Sequence, residues 1–194
     1  MAAETLTRDR VLDAAEDTLR RFGPGKTTVV DVARALGVSH GTVYRHFASK
    51  ADLLDAVLGR WLSRMNPPLA AIAAEDGPAA ERLRRFLLTL MGFKHEKART
   101  DPDLFAAYGL VSADARAVTV EHVEELNALV ARIVADGMER GEFAPGDPAQ
   151  VARAVWAATT RLHHPAHAAD WLTEPPEATF EALWKLLLNG LSAR

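Results

Sequence analysis

Apolar residues return every three or four positions through most of this chain, with polar residues between them, so the dominant period is that of the α-helix. Val11, Leu12, Ala15, Leu19 and Phe22 place an inward stripe on a helix over 6–22, opened by Thr5 or Thr7 and ended by Gly23-Pro24-Gly25. Val29, Val32, Ala33 and Leu36 mark a short second helix capped by Thr27 or Thr28, and Gly37 supplies the left-handed residue that stops it. Ser39 caps a third helix over about 39–46, whose inner face is Val43 and Phe47. Ser49 caps a fourth, in which Leu53, Leu54, Val57, Leu58, Trp61, Leu62 and Met65 keep the period until Asn66-Pro67-Pro68 breaks or kinks it. Five more follow: from Gly77-Pro78 through Lys94, from Asp101-Pro102, from Ser112 or Asp114 to Gly141, from Asp147-Pro148, and from near Pro176 to Leu191. No segment alternates apolar and polar with β-branched enrichment, so the reading is all-α, about nine helices in all.

The second and third helices, joined by a glycine turn, have the spacing of a helix-turn-helix, whose second helix enters the DNA major groove. Its outer positions are His40, Thr42, Tyr44, Arg45 and His46, nearly all hydrogen-bond donors. From these features alone, a plain helical hairpin with solvated polar residues stands as the alternative.

Net charge is −3, which sits oddly with DNA until it is divided. Residues 1–50 hold eight Lys/Arg against six Asp/Glu, and the remainder holds fifteen against twenty. The basic excess lies where the motif is, and it is small enough that specific contacts must supplement attraction to phosphate. Lys50 adds a charge at the N-terminus of the fourth helix, where backbone N–H groups and the helix dipole already suit a phosphate. The absence of cysteine excludes disulfides and thiolate metal sites. No apolar run approaches the roughly 20 residues of a membrane span, and Met1-Ala2-Ala3-Glu4 opens no signal peptide, so a cytoplasmic protein with no membrane partner is expected. There is no GxSxG elbow, phosphate-cradling glycine loop or HExxH, and the chain does not read as an enzyme.

The run from Gly37 through Val38-Ser39-His40-Gly41-Thr42-Val43-Tyr44-Arg45-His46 to Phe47, followed by Ser49-Lys50 and Leu53-Leu54, closely resembles the signature of the tetracycline-repressor (TetR) family of transcriptional regulators. The resemblance covers the first quarter of the chain. It implies a DNA-binding domain over 1–50 and a helical effector-binding and dimerisation domain over 51–194, with no cofactor. On that footing His40, Thr42 and Gly41 face base edges. Thr28, Tyr44, His46 and Lys50 grip phosphates, with Arg45 beside them and Ser39 capping the helix. Arg8, Arg10, Arg20 and Arg21 either lie near phosphates or are simply solvated. The partners implied are a palindromic operator in double-stranded DNA, a second copy of the chain, and a small apolar or amphipathic effector held among the middle helices. Candidate lining residues are Phe86, Met91, Phe93, His95, Phe105, Tyr108, Trp156 and His163.

The last two helices are apolar around more than one stripe, which fits either monomer core or a four-helix bundle formed across a two-fold axis. The family resemblance selects the bundle, with Val155, Ala158, Leu162, Phe180, Leu183, Trp184, Leu187 and Leu191 at the interface. His163 and His167 stand four residues apart, a spacing that zinc sites use, but Pro165 disfavours a continuing helix and no third ligand is paired with them. A rival reading uses His163, His164 and His167 in a helical metal- or small-molecule-binding protein. Within the regulator reading, co-repression and activation are the alternatives to effector release.

Overall fold

The computed structural model describes residues 6–114, 116–172 and 176–193. Among them are ten α-helices, two 3-10 turns and no strand, with a lone backbone bridge between Phe143 and Ser192. The helices are α1 (Arg8–Lys26), α2 (Val29–Leu36), α3 (His40–Tyr44), α4 (Lys50–Ser63), α5 (Asn66–Ala74), α6 (Ala79–Thr100), α7 (Pro102–Ala113), α8 (Ala117–Glu139), α9 (Pro148–His163) and α10 (Pro176–Leu191). The 3-10 turns, Pro165–His167 and Asp170–Leu172, bridge α9 to α10.

Most starts and stops follow local chemistry. Thr7, Thr28, Ser39, Ser49 and Asp147 each accept a backbone N–H of the helix they open. Thr28 is the cap of α2, in a capping box with Asp31, whereas Thr27 is buried and donates to the Thr18 and Gly23 carbonyls. Thr5 lies outside the described residues. Gly23 has φ 73 and interrupts α1, after which one further turn runs to Lys26. Phe22, expected inward, is 45% exposed: it stands one residue before that break, past the end of the packed face. α8 begins at Ala117 rather than at Ser112 or Asp114, which close α7. The helix absent from the sequence reading is α5. Pro67 and Pro68 occupy its first turn, where a missing N–H costs nothing, so prolines that end α4 also begin the next helix.

Two apolar cores organise the helices. One gathers α1 to α4 and takes Leu104, Phe105, Ala107, Tyr108 and Val111 from α7. The other gathers α5, α6, α8, α9 and α10 around Phe86, Ile133, Phe143, Phe180 and Trp184. In the second, a Cβ on Gly137 would stand 2.3 Å from the Phe143 ring and 2.8 Å from Ala79, so α8 approaches its neighbours at a glycine.

The second core takes up part of the stripe expected at the interface. Val155, Leu162, Phe180 and Trp184 are sealed inside it, and Leu183, Leu187 and Leu191 are half-buried against it. Four of these residues thus serve the monomer core, while the three leucines keep part of their surface outside it. Ala158 is exposed, as are Ala154, Ala157 and Leu186 on the outer sides of the same two helices.

Candidate DNA-reading surface and effector cavity

Gly37, with φ 68, turns the chain between α2 and α3, and Val43 and Phe47 anchor α3 in the first core. This leaves Ser39, His40, Gly41, Tyr44 and Arg45 exposed, with Thr42 and His46 half-buried beside them. α3 is shorter than expected: helical bonding ends at Tyr44, and Arg45 and His46 form a turn. Several of the polar groups already have local partners. The Ser39 and Thr42 hydroxyls are 3.0 Å apart, Arg45 donates weakly to Thr42, and the His40 and Tyr44 rings meet edge to face at 6.3 Å. The Thr28 hydroxyl donates to Asp31 while capping α2. Lys50 is exposed at the N-terminus of α4.

Of the four α1 arginines, Arg20 belongs to a different structure. Glu16, only 3% exposed, accepts hydrogen bonds from Arg20, from Arg60 at 3.0 Å, and from Arg64 at 2.8 and 3.0 Å. Burial pushes the Glu16 carboxyl up, but hydrogen bonds and charge from Arg64 and Arg20 outweigh it and hold the carboxyl below its ordinary range. Arg20 also forks onto Asp101 at 3.2 Å, at the corner between α6 and α7. α1 thus lies along α7 and is pinned to the α6–α7 corner and to α4 through one carboxylate hub.

That corner borders a cavity of about 710 Å³, within the usual size range of small-molecule sites. Its walls are His95, Ala98 and Arg99 of α6, Pro102, Phe105, Ala106, Gly109 and Leu110 of α7, and Pro165, Ala168, Ala169 and Trp171 of the α9–α10 connection. Trp171 stacks on His95 at 4.2 Å, meets Phe105 at 5.8 Å, and donates its indole N–H to the Arg161 carbonyl. His95 donates from Nε2 to the Leu162 carbonyl at 2.8 Å, and its burial lowers its proton affinity.

Only His95 and Phe105 of the eight expected lining residues face this cavity. Phe86 and Met91 are inside the second core, Phe93 packs on the first, and Tyr108 is buried behind Phe105. Trp156 covers His163 at 4.4 Å, and His163 is buried, with Nε2 3.2 Å from the Thr159 hydroxyl. The missed residues are mostly small, and smallness is what leaves room. Leu110, 59% exposed on an apolar helix, is the one whose periodicity carried a signal.

α9 ends at His163, as Pro165 requires, and the three neighbouring histidines diverge. His164 lies 3.2 Å from the Ser112 hydroxyl and accepts from the Ala166 N–H, while His167 faces Asp170. Among the described residues no three His, Cys, Asp or Glu side chains converge as a metal site. No described helix is long and apolar enough to cross a membrane.

Fold and surface together define a helix-turn-helix protein with a separate cavity-bearing helical body. Residues 11–57 match the family model for bacterial regulatory proteins of the tetR family, and residues 79–184 match that for the tetracyclin repressor-like C-terminal domain. The chain belongs to the TetR family. It is 40% identical over 52 residues to the transcriptional regulator TtgR of Pseudomonas putida, a match spanning 27% of this chain and 25% of that one. With RutR of Escherichia coli it shares 28% identity over 161 residues, covering 81% of this chain and 74% of that regulator. Its fold superposes with a TM-score of 0.70 on FadR from Bacillus subtilis in complex with stearoyl-CoA, at 16% identity over 95% of this chain and 99% of that one.

Proposed function

We propose that the protein is a homodimeric repressor that reads a palindromic operator and leaves it when a small apolar or amphipathic effector enters the 710 Å³ cavity. The observation that carries this reading is the double use of α7. Phe105, Ala106 and Gly109 wall the cavity, while the same helix supports α1 in the first core. A ligand that displaces α7 therefore tilts the reading head, and whatever affinity DNA loses by that movement the ligand loses when DNA is bound. FadR, bound to stearoyl-CoA, supports an amphipathic occupant for this fold. The exposed small residues Ala154, Ala157 and Ala158, with Leu186, provide the face for a second copy.

In this reading His40, Gly41 and Thr42 approach base edges, and Thr28, Tyr44, His46 and Lys50 hold phosphates with Arg45. Selection on randomised duplex DNA without ligand should enrich a palindrome; no enrichment from folded, dimeric protein would count against ligand-free repression. Tyr44→Phe should then weaken binding to every sequence alike, whereas His40→Ala should also change which operator is preferred. Equal losses on cognate and scrambled DNA for both variants would remove that division of labour.

A further inference from the structure

One buried charge belongs to neither the reading head nor its supporting hub. Lys94 of α6 is 1% exposed, and its Nζ has no hydrogen-bond partner. Among the described residues its close companion is the face of Tyr108, with the ammonium 4.2 Å from the ring centroid. Beyond that, its electrostatic neighbours are the histidines 122, 163 and 164, which carry no compensating negative charge. His122 Nε2 is itself buried without a partner. Native proteins pair buried ammonium groups because an unpaired one costs several kcal/mol in any apolar setting. Here several polar groups converge on the interior, and among the described residues no carboxylate hydrogen-bonds to the Lys94 ammonium.

The cavity walls are sequence neighbours of this point on both α6 and α7. Lys94 and Ala98 are four residues apart on α6 and therefore share a helix face, and Ala98 lines the cavity. On α7, Phe105 lines the cavity and touches Tyr108 at 5.9 Å. Lys94 and Tyr108 are not themselves walls of the cavity; each lies one helical turn from a residue that is, Lys94 from Ala98 and Tyr108 from Phe105. Among the described residues no Asp or Glu lines the cavity, and Arg99 stands at its wall.

We propose that the effector of this protein is an acid, whose carboxylate passes Phe105 to pair with the Lys94 ammonium while its apolar body occupies the cavity. This rests on the effector reading above and adds its chemical class. Tyr108 is the sliding face, its ring exchanging the ammonium for the carboxylate–ammonium pair. Burial has already lowered the Lys94 amine to about 7, so an arriving carboxylate restores the proton that the interior disfavours.

The test uses the full chain and a series of straight-chain and aryl-substituted carboxylates, each paired with the alcohol of the same carbon skeleton, titrated by calorimetry. Wild type should bind the acids roughly tenfold or more tighter than the alcohols, the usual return of a charge-assisted pair. Lys94→Met, which keeps the side-chain volume, should bind acid and alcohol equally. If wild type shows no preference, or Lys94→Met retains it, the carboxylate assignment is overturned while the cavity reading stands. If neither acids nor alcohols bind, both are overturned. A second readout needs no variant: above the depressed value of the amine, acid binding should take up a proton, seen as a heat that changes with buffer ionisation enthalpy, and alcohol binding should not. Acid binding without proton uptake would also overturn the assignment.

Discussion

Glu16 and Lys94 are both shielded from solvent and could hardly be treated more differently. Three arginines surround the carboxylate, each with its own hydrogen bonds, and a fourth link runs from Arg20 to Asp101. The ammonium meets an aromatic face and neutral imidazoles. The first charge is finished within the chain and joins α1, α4 and the α6–α7 corner. The second has no hydrogen-bond partner among the described residues. Burial of a charge is therefore not a sign of structure or of function; what distinguishes them is whether the chain supplies the counter-charge.

Substitution of each charge should move stability in opposite directions. Glu16→Ala strands three guanidinium groups, two of them about half exposed and free to turn to water, and should cost about 2–4 kcal/mol in denaturant unfolding. Lys94→Met removes an unpaired charge at constant volume and should stabilise by about 1–4 kcal/mol. A Lys94→Met protein that unfolds more readily than wild type would show that the ammonium is satisfied in the fold after all, and would erase the contrast.

Smaller effects appear in pH. The unfolded Lys94 amine holds its proton up to about 10.5, whereas the folded one releases it near 7. Between those values the unfolded state binds more protons, so this residue makes stability rise with pH, and Lys94→Met should flatten that rise. On the acid side, burial, and secondarily the Lys94 charge, push His122 and His163 down to about 3 from an ordinary 6.5. Stability should fall as pH drops through that window, because the unfolded imidazoles take up protons that the folded ones refuse. His122→Asn should remove part of the acid slope and leave the alkaline slope intact.

The reading head was legible because its rules are local. Gly37 adopts the left-handed conformation that its position demanded, and Thr28, Ser39 and Ser49 cap the helices they precede. The same locality explains α5, since a proline pair signals a boundary without telling whether the next residues form a loop or a helix. The cavity was mostly hidden. It is assembled from two stretches, 95–110 and 165–171, separated by α8 and α9, and its walls are largely alanine, glycine and proline, which advertise nothing by periodicity. Lys94 sat visibly on the inward face of its helix, but the absence of a carboxylate opposite it depends on partners far apart in sequence, as does the Arg20–Asp101 link.

The placement of α7 in the first core has a bearing on engineering. A headpiece cut after α4 would lose Leu104, Phe105, Ala107, Tyr108 and Val111 and expose the apolar faces they cover. Grafting this helix-turn-helix head onto another helical body therefore cannot be a simple exchange of the first sixty or so residues. The recipient must keep a compatible α7, or the transplanted head must bring its own, so that the natural unit of recombination here is discontinuous along the chain.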